Sequence, residues 1–418
     1  MHYKIDVVMG LNYGDEGKGL VTNCLADENS LVILPTNSCQ RGHTVEYNGM
    51  RHVFHHFGSG TLKGAATYIA APFIVNPTLF RREWEELAAL GITPKVYVED
   101  GCTVGTPMDM FANRLIEDSR GSNRHGSVGV GVWETMKRNY NCLAYGTNSM
   151  LTFQPWHIES KQKVESTIVN MRRYYAEYLA KEFSGDYTKK IADFYGGEYL
   201  VDNIVEDFYF MLSHVQIVNQ FERRPLVKEY NHIIFELGQG LMLDEKYSFD
   251  SLYSTPMEAD CHSAYLFINR IYSMTDELEI SLDFVTRPYV TRHGAGPMGY
   301  GIRETYPQAV GVFERDETNQ PNQYQGDFRY GRITPTYIEK MKANISRCLE
   351  GGSSLMQKVS FSNRIVITHW NELENVNLAR ELHSIEGIDG VWLSANKETI
   401  YGRYETQTNK IIDFSKKL

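Results

Sequence analysis

The chain has 418 residues, a formal net charge of −10 and 42% hydrophobic residues, a composition typical of a globular protein with a substantial core. The negative charge argues against general nucleic-acid binding, because a phosphate backbone is held mainly by Lys and Arg. The six cysteines form no CxxC pair, and no apolar run reaches the roughly 18 residues of a membrane span. We therefore expect a cytoplasmic protein without a zinc site or disulfide framework and without a nucleic-acid or membrane partner.

Strands and helices alternate along the first hundred residues. Residues 4–9 are typical of a buried strand, and the pattern then predicts a helix over 19–26 and a strand over 31–34. An amphipathic helix is predicted over residues 80–90, followed by a strand over 95–98. This alternation favours an α/β fold with a central, mostly parallel sheet flanked by helices.

The rest of the chain continues this organisation with one helical addition. Residues 159–183 and 189–215 are predicted to be helical, and their aromatic residues are interpreted as packing contacts. Strands are predicted over residues 232–235 and 364–368. Since no repeat or linker divides the sequence, we interpret the whole chain as a single large domain with a helical insertion around residues 155–220.

The stretch GLNYGDEGKGL, residues 10–20, connects the first strand to the first helix. This context predicts a P-loop-like phosphate loop, because backbone N–H groups there point at an anion and Lys18 adds a positive charge. The stretch departs from the GxxxxGK[ST] template, since Gly19 stands where Ser or Thr would hold magnesium. It also contains Asp15 and Glu16, which favour a bound metal or a proton transfer from substrate. The alternative is a glycine turn with a solvated acidic pair.

A histidine follows a glycine soon after the second predicted strand, in the sequence QRGHT of residues 40–44. His43 could donate a hydrogen bond to a phosphate oxygen, although a lone histidine is more often structural. Residues 45–53 then predict a β-hairpin with an Asn-Gly turn.

Three further segments are rich in glycine. Residues 121–131, GSNRHGSVGVG, show no hydrophobic period and predict a loop. Residues 235–240, FELGQG, place another glycine turn after a strand, where Gln239 could bond a carbonyl or amide group. The third is TRHGAGP, residues 291–297. None of the three is specific alone.

Taken in order, GDEGKG, RGHT with its hairpin, GSGTL at residues 58–62, FELGQG and TRHGAGP resemble the adenylosuccinate synthetase family. The resemblance runs from about residue 5 to 300 and is weaker over residues 364–403. Its departures suggest a divergent member, comparable to the phage aminodeoxyadenylosuccinate synthetases. The resemblance implies that an NTP phosphorylates the six-position oxygen of a purine mononucleotide, and that the amine of L-aspartate then displaces this phosphate. It further implies Mg²⁺ as cofactor and a homodimer.

Catalytic roles follow from the resemblance. Asp15 is implied as the general base for the purine N1 proton and as a magnesium ligand, while Lys18 steadies the phosphates. His43 is implied to stabilise the γ-phosphate and the 6-phosphoryl group, Gln239 to contact the purine, and Gly42 to offer a backbone ligand to the metal. The NTP site as a whole is expected to contain Gly14, Glu16, Gly17, Lys18, Gly19, Gly42, Thr44 and Asn371.

The mononucleotide site is implied in the same way. Ser127 falls near the threonine that grips the 5′-phosphate, and Arg292 lies in the block near the ribose. Gln40 replaces an asparagine of the family, and Gln239 completes the set. Arg138 matches the arginine that reaches into the nucleotide site of a neighbouring subunit, and this match is the reason for expecting a homodimer.

The phosphate donor is expected to differ from the GTP of the family. Residues 368–371, THWN, stand where the family has its base-recognition motif TKLD. Asn371 therefore replaces the carboxylate that pairs with guanine, and an amide suits the mixed donor and acceptor edge of adenine better. We expect ATP or dATP as the donor, with GTP less favoured.

The amine-donor site also departs from the family, because its TTGRRR cluster has no counterpart. The nearest segment is residues 326–332, in which Arg329 and Arg332 could clamp a dicarboxylate such as L-aspartate. A different amine donor stays open.

The identity of the mononucleotide is open between two classes. Asp15 favours IMP or dIMP, because in the phage branch that aminates dGMP a smaller residue replaces this aspartate. Gln40 could reposition the base, however, so GMP and dGMP remain alternatives. Two other functions are also open: a nucleotide-binding regulatory protein that kept the fold without ligation, and an NTP-dependent kinase of a small molecule.

Overall fold

One large sheet organises the fold. The computed structural model describes residues 2–124, 126–250, 253–255, 258–313, 318, 326–400, 402–405 and 410–413. Its strands are β1 (His2–Gly10), β2 (Ser30–Leu34), β3 (His43–Tyr47), β4 (Met50–Phe54), β5 (Ala66–Ile69), β6 (Ile74–Val75), β7 (Val96–Glu99), β8 (Thr103–Val104), β9 (Gln216–Val218), β10 (His232–Gly240), β11 (Glu277–Thr286), β12 (Val290–His293), β13 (Glu304–Thr305), β14 (Phe328–Gly331), β15 (Lys358–Phe361), β16 (Arg364–Ile367), β17 (Gly390–Leu393), β18 (Gly402–Glu405) and β19 (Lys410–Asp413).

Helices cover both faces of this sheet. They are α1 (Lys18–Leu25), α2 (Pro77–Ala89), α3 (Pro107–Ser119), α4 (Val132–Tyr145), α5 (Pro155–Ile158), α6 (Lys161–Glu182), α7 (Asp186–Tyr195), α8 (Leu200–His214), α9 (Gln220–Val227), α10 (His262–Ile271), α11 (Pro335–Gly351) and α12 (Val376–His383). Among the described residues, every helix is too short or too polar to span a bilayer.

Within the described chain, twelve strands form the large sheet, in the order β19-β18-β17-β16-β11-β1-β10-β2-β5-β7-β9 with β15 also paired to β11. The pairs are parallel except where β18 meets β17 and β19. Parallel strands covered on both faces need continuous apolar sequence, and Val7, Val8 and Met9 of the central β1 are all fully buried. The prediction of an α/β fold with a mostly parallel sheet is confirmed.

The two faces of the sheet carry separate cores. Because successive side chains of a strand point to opposite faces, Val7 packs in the core beneath α10, α11 and α12, whereas Val8 packs in the core beneath α1, α2, α3, α6 and α8. The helix predicted over residues 159–183 is present as α6, whereas the stretch predicted over 189–215 is divided into α7 and α8 by a break at residues 196–199 that begins with Gly196 and Gly197. Tyr175 and Phe208 of these helices are buried in the second core, as their interpretation as packing residues requires.

The predicted hairpin is formed by β3 and β4. Asn48 and Gly49 connect the strands with φ values of 50° and 77°, the left-handed pair that a two-residue hairpin turn needs. The hairpin matters for the site because its first strand begins at His43.

A buried charge network ties the central strands together. Arg364 of β16 donates to both oxygens of Asp283 on β11, at 2.6 and 2.9 Å, and to Asp6 on β1 at 2.7 Å. His232 of β10 lies 2.6 Å from the other oxygen of Asp6. Burial and the nearby Asp6 raise the pKa of Asp283 to about 6. This network is a feature that sequence patterns did not predict.

Candidate active site

The predicted phosphate loop lies at the carboxyl end of β1, between Gly10 and the start of α1 at Lys18. Gly14 and Gly17 have φ values of 107° and 92°, which L-residues with side chains rarely adopt, so the loop needs glycine at both positions. The carboxyl ends of β10 and β11 lie beside it, with Gly240 and Val285 paired to Gly10. Ligands of open parallel sheets bind at this edge.

The two charged residues at the end of this loop are engaged with each other. Glu16 is buried, and its Oε1 accepts hydrogen bonds from the amides of Asn12 and Gly14 at 3.0 and 2.8 Å. Lys18 Nζ lies 3.2 Å from Glu16 Oε2 and donates to the Gly14 carbonyl at 2.8 Å. Glu16 therefore holds the backbone of the loop through these two amides. A bound phosphate could accept hydrogen bonds from them only if the Glu16 carboxylate moved away.

A cavity of about 610 Å³ opens beside the loop and brings several predicted residues together. Six of the predicted site residues contribute to its wall: Gly14, Asp15, Gln40, Gly42, His43 and Gln239. Outside the described wall lie Glu16, Gly17, Lys18, Gly19, Thr44, Ser127, Arg138, Arg292, Arg329, Arg332 and Asn371. Thr44 is nevertheless close, because its hydroxyl lies 2.7 Å from that of the wall residue Thr318.

His43 belongs to a buried cluster centred on Glu236, a residue of the FELGQG segment to which the sequence assigned no role. His43 Nδ1 lies 2.6 Å from Glu236 Oε1, and Arg41 Nη2 lies 3.0 Å from Glu236 Oε2. Ser59 donates to Glu236 through both its amide and its hydroxyl. The side chains come from positions almost 200 residues apart, so local sequence patterns gave no signal for the cluster.

The cluster sets the protonation of His43. Burial lowers the pKa of His43 to about 4 although the Glu236 carboxylate opposes this shift. Burial alone would raise the pKa of Glu236, but Arg41 and His43 hold it well below its ordinary value. Ionised Glu236 only accepts hydrogen bonds, so neutral His43 carries its proton on Nδ1. Its Nε2 is therefore unprotonated.

Arg138 is bonded inside its own chain in this structure. Arg138 is fully buried, its Nε lies 2.9 Å from Asp109 Oδ1, and its Nη2 donates to the Val104 carbonyl at 2.8 Å. Asp109 also closes the capping box with Thr106 at the start of α3. Arg138 thus joins α3 to α4 inside its own chain, and its role across a subunit interface stays a prediction.

Two further residues predicted to contact the mononucleotide, Arg292 and Ser127, lie outside the described cavity wall. Arg292 packs over the Tyr13 ring at 4.6 Å and donates to the Pro297 carbonyl. Ser127 donates from its hydroxyl to Asn113 at 2.7 Å, and the preceding amide of Gly126 donates to Glu117.

Comparisons with known proteins agree with this geometry. A sequence model of the adenylosuccinate synthetase family matches residues 7–311, which is most of the chain. The chain belongs to the adenylosuccinate synthetase family. Curated adenylosuccinate synthetases of Parabacteroides distasonis and Bacteroides thetaiotaomicron are each 26% identical to it, over 304 and 302 residues. These alignments cover 70% of this chain and 64% of either relative, so the chain spans less than two-thirds of their length.

Two solved structures share the fold of the whole chain. The fully ligated adenylosuccinate synthetase of Plasmodium falciparum has a TM-score of 0.61 at 14% identity and covers 98% of this chain and 83% of its own. The succinoaminodeoxyadenylate synthetase of cyanophage S-2L, bound to dGMP and dATP, has a TM-score of 0.57 at 14% identity, with 98% and 97% covered.

Two departures from the family pattern have clear positions. Thr368 of the THWN segment donates to the Glu16 carbonyl at 2.6 Å, which places the segment against the phosphate loop, and Asn371 is exposed. Arg329 donates to Glu304 and Gly294, both at 2.5 Å, and Arg332 donates to Ala309 at 2.7 Å. Neither arginine is among the described residues that line the cavity, and most of the preceding segment, 314–317 and 319–325, lies outside the described residues.

The family implies a magnesium ion, and the residues at the cavity fit one. The Asp15 carboxylate and the Gly42 carbonyl are hard oxygen donors in one wall. Within the described ranges, no group of three or more acidic, histidine or cysteine side chains could hold a metal. Magnesium is often held by one or two protein oxygens, while substrate phosphates and water supply the remaining ligands.

Proposed function

We propose that the protein is an NTP-dependent carbon–nitrogen ligase of the adenylosuccinate synthetase type, which joins L-aspartate to the six-position of a purine mononucleotide. The observation that carries this proposal is the convergence of Asp15, His43 and Gln239 on one cavity beside the phosphate loop. A general base, a phosphate-stabilising group and an amide for the purine are the side chains that the two-step reaction needs.

In the first step, the Asp15 carboxylate takes the purine N1 proton while the six-position oxygen attacks the γ-phosphorus and the NDP leaves. Glu236 fixes the imidazole of His43 through Nδ1, and the negative charge of a bound phosphate raises the pKa of His43, so that Nε2 can donate to it. In the second step, the aspartate amine displaces the phosphate from the six-position carbon. Mg²⁺, held by Asp15 and the Gly42 carbonyl, would neutralise phosphate charge.

Asp15 supports IMP or dIMP as the mononucleotide, and Gln40 leaves GMP and dGMP open. The cyanophage neighbour is bound to dGMP and dATP, which supports the second class and an adenine donor. The proposal further includes ATP or dATP as donor, a cytoplasmic location and a homodimer. Helix α4 supports the homodimer, since Trp133, Tyr140 and Leu143 are 60%, 68% and 75% exposed along one side of it.

The proposal predicts NDP release that requires both a purine monophosphate and an amino acid. We would incubate the protein with IMP, dIMP, GMP or dGMP, with aspartate, and with ATP or GTP, and detect products by mass spectrometry. An aspartate adduct of one monophosphate is the expected result. NDP release with the monophosphate alone would instead indicate a kinase, and tight nucleotide binding without any turnover would indicate a regulatory protein.

Asn371→Asp should shift the donor preference towards GTP. A carboxylate accepts from guanine N1 and its amino group, so the ratio of kcat/KM for ATP to that for GTP should fall about 10- to 100-fold. Asn377→Asp is the matched control, since Asn377 lies on α12 and bonds Arg380. An unchanged ratio in Asn371→Asp would show that base choice lies elsewhere, such as residues 394–396, where Ser394 accepts from the Trp370 amide at 2.9 Å.

A further inference from the structure

Thr368 connects two parts of the fold that are distant in sequence. It follows β16, and its amide donates to the Thr286 carbonyl at 2.9 Å, where β11 ends. Its hydroxyl donates to the Glu16 carbonyl of the phosphate loop at 2.6 Å, and the residue is fully buried. Thr368 therefore joins the carboxyl edge of the sheet to the loop that contains Asp15.

The single hydroxyl proton of Thr368 has one preferred acceptor. The Glu16 carbonyl oxygen lies 2.6 Å from Thr368 Oγ1, whereas the Thr286 carbonyl oxygen lies 3.3 Å from it. His369 Nδ1 lies 3.0 Å from the same hydroxyl oxygen. Since the hydroxyl proton points at Glu16, His369 Nδ1 is the donor of this second bond. The two bonds form a chain that ends on the loop, and each bond polarises the other.

The backbone next to Asp15 is held at two consecutive carbonyls. The Asp15 carbonyl accepts from Arg287 Nε at 2.5 Å, and the Glu16 carbonyl accepts from Thr368. Gly17 follows with a φ value of 92°, and a Cβ there would lie 3.1 Å from the Thr368 methyl carbon. This part of the loop is therefore fixed by residues that follow β11 and β16.

We infer that Thr368 is a positioning residue, whose hydroxyl holds the phosphate loop in the shape that keeps Asp15 in the cavity wall. This inference rests on the proposed function, in which Asp15 takes the purine N1 proton. Proton transfer needs donor and acceptor within hydrogen-bond distance, and a displacement of about 1 Å can lower a rate about 100-fold. Loss of the Thr368 hydroxyl should therefore slow the chemical step more than it weakens substrate binding.

The test compares Thr368→Val, Thr368→Ser and the matched control Thr167→Val with the wild-type chain. Valine removes the hydroxyl and keeps the branched shape, whereas serine keeps the hydroxyl and removes the methyl group. Thr167 is a buried threonine of α6 outside the described cavity wall, and its hydroxyl donates to the Lys163 carbonyl at 2.8 Å. Melting curves check that each variant folds, and Thr368→Ala replaces Thr368→Val if the valine variant does not fold.

Three measurements are made on each variant. They are single-turnover NDP formation with the monophosphate that forms the aspartate adduct, calorimetric titration with ATP and magnesium, and hydrogen exchange of residues 10–20 by mass spectrometry. Thr368→Val should lower the rate about 10- to 100-fold, change the ATP affinity less than about threefold and speed up exchange of the loop. Thr368→Ser should stay within about threefold of the wild-type rate, and Thr167→Val within about twofold.

A double-mutant cycle shows whether Thr368 acts through Asp15. In an Asp15→Asn background, Thr368→Val should change the residual rate less than about twofold, because the group that Thr368 positions is already lost. A purely structural role would lower the rate by the same factor in both backgrounds.

An unchanged rate in Thr368→Val, an equal loss in Thr368→Ser, or an equal loss in the Asp15→Asn background would overturn the inference. The ligase proposal fails separately. If the wild-type chain forms no aspartate adduct, hydrogen exchange decides the inference: faster exchange of the loop in Thr368→Val but not in Thr368→Ser supports it, and unchanged exchange overturns it. If the adduct forms and Thr368→Val turns over at the wild-type rate, the ligase stands without the inference.

Discussion

An Asp15→Asn variant should lose about 10²- to 10⁴-fold in turnover while it still binds nucleotide. The amide keeps the size and much of the hydrogen bonding of the carboxylate but cannot accept the purine N1 proton. The six-position oxygen then stays a poor nucleophile towards the γ-phosphate. The backbone of Asp15 should stay in place, because its carbonyl accepts from Arg287 Nε at 2.5 Å.

The measurement pairs single-turnover NDP formation with nucleotide titration. Glu86→Gln is the matched control, since Glu86 is an acid at the same cavity whose carboxylate pairs with Arg82 on α2. The control should retain turnover, and both variants should bind the NTP. Turnover of Asp15→Asn within about tenfold of wild type would exclude Asp15 as the general base.

Local features of the fold were predictable because each has a local physical cause. The apolar run of β1 indicates a strand covered on both faces, and the glycines of the next residues indicate the turn that the left-handed φ values of Gly14 and Gly17 require. The Asn48-Gly49 pair likewise predicts the hairpin between β3 and β4. These signals lie within ten residues of the structure that they predict.

The site was predictable only in part, because ion pairs depend on which strands become neighbours. Glu236 meets Arg41 because β10 lies beside β2 in the sheet, and the loop after β2 carries Arg41. Arg138 matches a family arginine in sequence, yet in the fold it is buried against Asp109, 29 residues earlier. Sequence similarity indicated Asp15, His43 and Gln239, which line one cavity, but it could not show which charges are already compensated inside the chain.

Arg364→Met should destabilise the fold by about 3–5 kcal/mol at pH 8, because it leaves Asp6 and Asp283 buried without the guanidinium that joins them. The expected loss is large since Arg364 bonds both carboxylates across β1, β11 and β16. Chemical denaturation monitored by circular dichroism measures it. Lys358→Met is the matched control, because Lys358 pairs with Glu277 at an exposed position and its loss should leave the midpoint unchanged.

The loss should shrink at lower pH. With Arg364 present, the folded pKa of Asp283 is already raised to about 6, above its unfolded value, so protonation of this group favours the folded state below that pH. Without Arg364 the folded pKa rises further, and a proton bound between pH 7 and 5 replaces the missing positive charge. Arg364→Met should therefore lie closer to wild type at pH 5.5 than at pH 8. Asp283→Asn in the Arg364→Met background should restore part of the stability at pH 8, and a pH-independent loss would contradict the electrostatic explanation.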